Sequence, residues 1–379
     1  MHALPQNGIV AVIGSGAMGS GIAQVAASAG HPVLLFDARP DAADKAIADI
    51  GKTYTKLVEK GRMEASQADA ARARLQRIGS LQEAAGAALV VEAIVENLDA
   101  KRALFTELEG IVGDDCILAT NTSSISVTAI AAPLRRPERL VGMHFFNPVP
   151  LMALVEVISG IATDKAVADA TYATAEAWGK SPVHAKSTPG FIVNRVARPY
   201  YAESLRLLLE QAAEPATIDA VLRDCGGFRM GPFELMDLIG HDVNFSVTNS
   251  VYQAYFGDPR FTPSVLQQEL VNAGFLGRKT GRGFYRYGEA VEKPAPHTEP
   301  SQPRPQSVAV TGADFSKLEP LIARFAGAGY AVTRYEDSNA CAILCGGARV
   351  YLSDGRTATE RAADMWHPDT VVHDLLLDP

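Results

Sequence analysis

The run Gly14-Ser15-Gly16-Ala17-Met18-Gly19 follows the apolar stretch Ile9–Ile13 and opens the helical pattern Ser20–Ala29. Glycines at this spacing between a strand and a helix suit a dinucleotide. Gly14 permits a tight turn, Gly16 lets the backbone approach a pyrophosphate, and Gly19 lets helix and strand pack closely. Ala17 and Met18 complete the loop. The helix N-terminus behind it offers free N–H groups and a favourable dipole to phosphate. Asp37 ends the next strand candidate, about 20 residues on, where a carboxylate accepts ribose hydroxyls and repels a 2′-phosphate. NAD is therefore expected over NADP, although Arg39 nearby weakens that preference. The plain alternative is a glycine turn with no ligand.

A second group of residues has acid–base chemistry. His144 ends the apolar run Leu140–His144, and carboxyl ends of strands are where α/β sheets place ligands. Glu156 lies inside Leu154-Val155-Glu156-Val157-Ile158, where a charge is costly unless paired. A carboxylate on one imidazole nitrogen fixes the tautomer and raises the basicity of the other. A lone histidine is more often structural, and the sequence leaves open whether the two meet. Ser123 and Ser124, in Asn121-Thr122-Ser123-Ser124, follow the run Ile117–Thr120 and face the same crevice by position; they also read as a helix cap. Asn194 is polar on an otherwise apolar first helical turn, and by itself reads as a cap or an interhelical hydrogen bond.

These residues need a scaffold, and the chain is long enough for one. Its 379 residues suggest two or three domains, and 47% hydrophobic with 21% charged residues is ordinary for a globular protein. The formal charge of −8 argues against general nucleic-acid binding. The cysteines Cys116, Cys225, Cys341 and Cys345 form no CxxC, so neither a disulfide framework nor a metal site is expected. No signal peptide or membrane span is expected, and reduced thiols point to the cytoplasm. Short β-rich runs at Ile9–Ile13, Val33–Phe36, Leu89–Glu92, Ile117–Thr120, Leu140–His144 and Met152–Ile158 alternate with helical patterns, which predicts βαβ units and a parallel sheet. Phe191–Gln211 reads as one long helix, with shorter ones following. Prolines at 294, 296, 300, 303 and 305 mark an extended linker. Beyond it, Ser307–Val310 and Tyr330–Thr333 read as strands around a helix Ser316–Ala328.

Seven stretches occur in order: GSGAMGSGIA, VVEAIVENLDAKRALF, ATNTSSIS, GMHFFNPVPLMALVEVI, STPGFIVNRV, GPFELMDLIG and LGRKTGRGFY. Together they resemble the 3-hydroxyacyl-CoA dehydrogenases over about residues 7–288. The resemblance implies an α/β fold: a doubly wound, Rossmann-type NAD-binding domain (1–187), an α-helical substrate and dimerisation domain (188–288), a proline-rich linker (289–306) and a small α/β tail (307–379). It implies NAD-dependent oxidation of an L-3-hydroxyacyl-CoA in fatty-acid β-oxidation or phenylacetate catabolism, by a cytoplasmic homodimer with its active site between the two domains. His144 matches the family's general base and acid, Glu156 its partner, and Ser123 and Asn194 its substrate contacts. The cofactor contacts match Gly14, Gly16, Ala17, Met18, Gly19, Asp37, Glu96, Lys101, Ser123, Asn147 and Lys279. For CoA, the family points to the region of Lys52, Lys56 and Lys60, whose plain reading is a solvated helix face, with Lys101 shared.

The tail resembles the middle region of longer bacterial members through Ser353–Arg361 and Val371–Leu377. Some of those act on 3-hydroxyadipyl-CoA, which sets that substrate against 3-hydroxybutyryl-CoA, and the tail is expected to be part of a larger C-terminal region. Asp354-Gly355-Arg356 reads as a structural turn. The other readings are a dehydrogenase of small hydroxy acids or sugar acids, such as the gulonate dehydrogenases, and a non-catalytic NAD-binding protein. The HFFNPVP stretch opposes the first, and the presence of His144, Glu156 and Asn194 opposes the second.

Overall fold

The computed structural model describes residues 2–298, 300, 303–336 and 341–373. It divides into two compact units, Met1–Glu203 with Asp242–Gln268, and Ser204–His241 with Glu269–Pro379.

The first unit is built on β1 (Val10–Ile13), α1 (Ala17–Ser28), β2 (Val33–Phe36), α2 (Ala42–Glu59), α3 (Ala65–Ala73), β3 (Leu75–Arg77), β4 (Leu89–Glu92), α4 (Leu98–Glu109), β5 (Ile117–Thr120), α5 (Val127–Ala131), β6 (Leu140–Phe145), β7 (Leu154–Ser159), α6 (Lys165–Ala177) and β8 (Ser181–Lys186). Strand order is β3-β2-β1-β4-β5-β6-β7-β8. The first six strands form the doubly wound 3-2-1-4-5-6 sheet, whose order reverses at β1. Successive side chains of β1 enter different cores. Val10 and Val12 join Ile22, Ala26 and Tyr54, while Ala11 and Ile13 join Phe105 and Leu108. Burial on both faces is why these strands read as unbroken apolar runs.

The sheet is not wholly parallel. β7 pairs antiparallel to β6, with His144 opposite Glu156, and β8 runs parallel to β7. The link from Phe145 to Leu154 is too short for the helical crossover that a parallel pair needs. β3 and β8 carry no apolar run because they are the sheet's edges, and Pro182 in β8 is at home there.

α7 (Val193–Leu209) is shorter than the expected Phe191–Gln211 helix. Gly190 and Phe191 adopt left-handed backbone at φ 72° and 47°, as does Gln211 at φ 57°, so the helix starts and stops inside the apolar pattern. α10 (His241–Ala254) and the first residues of α11 (Val265–Asn272) fall mostly in the first unit. Arg198 ties α7 to α10 by donating to the Asn244 carbonyl and the Thr248 hydroxyl.

The second unit holds α8 (Pro215–Ala220) and α9 (Pro232–Ile239). Asp237 accepts hydrogen bonds from the Phe284 and Tyr285 amides, the Tyr287 hydroxyl and His241, which folds the GRGFY stretch onto α9. The tail adds β9 (Val308–Thr311), α12 (Glu319–Gly327), β10 (Val332–Tyr335), β11 (Ala342–Cys345), β12 (Ala348–Leu352), α13 (Ala358–Met365) and β13 (Thr370–His373), in sheet order β10-β9-β11-β12-β13. Val308, Val310, Leu318, Ile322 and Ile343 form its core. Asp354-Gly355-Arg356 is a turn pinned by Arg356 to Asp354 and Asp364. Of the Val371–Leu377 stretch, the part after residue 373 lies outside the described residues.

Candidate active site

The glycine loop leaves the carboxyl end of β1 where the strand order reverses. Gly14 has φ 103°, and a Cβ there would strike the Ala93 carbonyl. A Cβ on Gly19 would overlap the Gly14 carbonyl, so both glycines are required by the fold itself. Gly16 differs: a Cβ there would meet nothing within 4 Å. It N-caps α1, whose start carries no side-chain cap and no acidic residue in its first turn, so free N–H groups face open space. A cavity of about 410 Å³ adjoins it, lined by Ser15, Gly16, Ala17, Ser20 and Asn147 among others. A second, of about 770 Å³, is lined by Gly14, Asp37, Ile94, Val95 and Leu104. An uncapped helix start, open space at Gly16 alone and a carboxylate at the end of β2 are what a dinucleotide requires.

Asp37 accepts from the Ser15 amide and hydroxyl at 2.8 and 2.7 Å and is clamped by Arg39 at 3.0 Å. The Arg39 guanidinium, helped by Ser15, holds its carboxyl well below the usual range. Arg39, which weakened the NAD preference in the sequence, is thus neutralised by Asp37.

His144 and Glu156 meet. His144 Nδ1 lies 2.6 Å from Glu156 Oε2, with His144 5% exposed and Glu156 fully buried. Cross-strand register on the β6–β7 hairpin places them opposite each other. Glu156 Oε1 accepts from the amides of Ile192 and Val193 at 2.9 Å each. The left-handed turn at Gly190-Phe191 therefore aims the start of α7 at the glutamate. Burial pushes the Glu156 carboxyl up, but the bonds from His144, Val193 and Ile192 outweigh it and leave it below its ordinary value. Phe146 and Phe191 flank the imidazole at ring distances of 4.5 and 5.9 Å. Nε2 has no hydrogen-bond partner among the described residues and is free for a substrate hydroxyl.

Ser123 and Asn194 sit together, the Asn194 amide donating to the Ser123 carbonyl at 3.2 Å. Glu96 organises the turn before them. It accepts from the Thr122 hydroxyl at 2.6 Å and from the amides of Ser123 and Ser124 at 2.9 and 3.2 Å. Burial raises the Glu96 carboxyl, and Lys101 with these donors brings it below its ordinary value. Lys101 itself is 1% exposed, its ammonium held by Glu92 at 2.6 Å and Glu96 at 3.2 Å. Its burial sets it among these carboxylates rather than on the exposed helix face that carries Lys56 and Lys60. Lys56 and Lys60 are exposed at the end of α2, while Lys52 pairs with Asp49. Ala17 and Met18 form the first turn of α1, and Lys279 lies on the short turn Arg278–Thr280 of the second unit. Among the described residues, no group of three or more His, Cys, Asp or Glu could hold a metal.

Sequence reading missed Glu92, Asn121 and Lys180. Glu92 closes an apolar strand, the same signal that singled out Glu156. Asn121 accepts from the Phe145 amide and so joins the ends of β5 and β6. Lys180 is buried and donates to the Val149 and Met152 carbonyls, bracing the loop that carries Asn147; its signal, a lysine after a helix, is indistinguishable from a surface cap.

Comparison with known proteins places the whole chain beside enzymes of one kind. A 3-hydroxyadipyl-CoA dehydrogenase of Escherichia coli is 53% identical over 73% of this chain, and the match spans 58% of that relative's length. A probable 3-hydroxybutyryl-CoA dehydrogenase of Bacillus subtilis is 42% identical over 74% of this chain and 97% of its own. The crystal structure of a 3-hydroxybutyryl-CoA dehydrogenase from E. coli K12 superposes with a TM-score of 0.84 at 43% identity, covering 97% of this chain and 72% of that one, so the likeness extends into the tail. No helix among the described residues is long and apolar enough to cross a membrane. Residues 9–188 match the NAD-binding domain of 3-hydroxyacyl-CoA dehydrogenase and residues 190–287 match its C-terminal domain; the chain belongs to the NAD-dependent 3-hydroxyacyl-CoA dehydrogenase family.

Proposed function

We propose that the protein reversibly oxidises the 3-hydroxyl of an L-3-hydroxyacyl-CoA to the 3-oxoacyl-CoA. The observation that carries this reading is the buried His144–Glu156 pair, with one imidazole nitrogen taken up and the other free. NAD, held by Gly14–Gly19 with Asp37, Glu96, Ser123, Asn147 and Lys279, supplies the hydride acceptor when bound. His144 Nε2 removes the hydroxyl proton in the forward direction and returns it in reverse. Glu156 stabilises the imidazolium that forms. Ser123 and Asn194 orient the substrate oxygen and polarise the carbonyl that develops. Lys56 and Lys60 are the CoA-facing cations.

The substrate is 3-hydroxyadipyl-CoA or 3-hydroxybutyryl-CoA. The 53% relative named for the adipyl substrate and the tail favour the former. A homodimer in the cytoplasm completes the reading, supported by the family resemblance.

The test is NADH oxidation with acetoacetyl-CoA and with 3-oxoadipyl-CoA, using His144→Ala as control. Turnover that collapses in the control supports the reaction, and the ratio of the two kcat/KM values assigns the substrate. No turnover with NADH still bound moves the reading to sugar-acid substrates or a passive binder. Light scattering on the eluted peak tests the dimer, which a monomer mass overturns.

A further inference from the structure

Glu92 has no role in the chemistry above, yet it is fully buried at the centre of the site. It ends β4, in register with Ile13 of β1 on one side and Thr120 of β5 on the other. It thus stands between the glycine loop and the Ser123 turn. Each acceptor is engaged: Oε1 takes the Ile94 amide at 2.7 Å and Lys101 at 2.6 Å, and Oε2 takes the Thr120 hydroxyl at 2.7 Å. Lys101 also reaches Glu96, at the longer distance of 3.2 Å. One ammonium is shared between two carboxylates. The buried one holds it closely, and the other, 38% exposed, is left to grip the Thr122–Ser124 turn.

We infer that Glu92 is a positioning residue for the cofactor end of this site, restraining Lys101 so that Glu96 stays on the Ser123 turn. Resting on the reading proposed above, this adds a residue to its site. The argument is one of competition. Without the Glu92 charge, Lys101 has a single counter-charge left, and a buried cation pairs with whatever carboxylate it can reach. Glu96 is then drawn toward Lys101 and away from the Ser123 and Ser124 amides. Without Lys101, two carboxylates repel across the space it filled. Removing both charges takes away the pull and the repulsion together, and Glu96 keeps its grip on the turn.

NADH fluorescence titration of the full-length protein tests this without any acyl-CoA substrate, so failure of the substrate assignment does not affect it. The variants are Glu92→Gln, Lys101→Met and the double substitution. Losing a hydrogen bond to a charged group costs roughly 10- to 100-fold in affinity, so each single variant is expected to bind NADH about 10- to 100-fold more weakly. The double variant is expected to bind more tightly than either single one. If Glu92→Gln fails to fold, Lys101→Met against the double variant makes the same comparison with no unpaired cation. Losses that add, leaving the double variant weakest, overturn the inference. So does a Glu92→Gln variant that melts lower but binds NADH like the parent, which is the pattern of a purely structural residue.

Discussion

At the scale of single residues, the proposed His144–Glu156 dyad makes a definite claim about which proton moves. Glu156 Oε2 holds Nδ1 while Oε1 is held by two backbone amides. Glu156→Gln separates charge from shape. Its carbonyl still accepts from Ile192 and Val193, so its NH₂ faces Nδ1 and donates there. The imidazole then carries its proton on Nε2 and cannot accept one from substrate. The expected result is a fall in kcat of about 10²–10⁴-fold, the range of positioned proton transfer, with NADH affinity and melting temperature nearly unchanged. Stopped-flow turnover, NADH titration and a thermal melt read the three quantities. A variant retaining more than about a tenth of the parent kcat would show that Glu156 does not set the tautomer. His144→Ala is expected to lose a similar factor in both directions, since in the proposed mechanism the same nitrogen takes and returns the proton.

At the scale of elements, the turn from β1 to α1 separates what folding needs from what the ligand needs. Gly19→Ala puts a methyl onto the Gly14 carbonyl, which is backbone and has no rotamer to yield. Overpacking of this kind costs at least about 1–3 kcal/mol, several degrees in melting temperature for a domain of this size. Gly16→Ala puts its methyl into open space, so the melt should hold while NADH affinity falls about tenfold or more. Calorimetry with NADH titration on both variants checks the pair; equal melting losses would mean that the space over Gly16 is not ligand space. This division also shows what the sequence makes legible. The β1 turn, Asp37 and His144 could be read because spacing and apolar run locate them. β3 and β8 could not, since edge strands carry no run to see. The antiparallel turn of β7 follows from a loop length, and that depends on where β6 ends. The amides that hold Glu156 depend on a left-handed Phe191, a conformation no residue type there announces. Glu92 was visible by a signal close to that of Glu156, a charge in an apolar strand, but its partner Lys101 was read as a cofactor and CoA contact.

At the scale of the whole molecule, the carboxylates held by internal hydrogen bonds are not evenly balanced between the two units. In the first unit Asp37, Glu96, Glu109 and Glu156 all lie below their ordinary values. In the second, burial raises Asp219 while the bonds to Asp237, outweighing its burial, lower it. A carboxyl whose folded value is depressed stabilises the fold above its unfolded value, and that stability is lost as pH falls through the folded one. A raised carboxyl works in the opposite direction. The first unit therefore loses stability from several groups at once below the ordinary values of 3.8 and 4.5 for Asp and Glu, whereas in the second the two buried groups oppose each other and the lowered Asp314, Glu319 and Asp354 are exposed, where solvent screening leaves their pairs little weight. Acid should unfold the first unit before the second. The two tryptophans make this measurable: Trp178 in the first unit is 6% exposed, whereas Trp366 in the second is 93% exposed and already emits as a solvated indole. A red shift on acidification thus reports Trp178. It is expected as pH falls below about 4, together with loss of NADH binding, while amide exchange around Asp219 and Asp237 stays slow. Protection at Asp219 and Asp237 that vanishes before the Trp178 shift would mean that the carboxylates holding the catalytic site are not what acid attacks first.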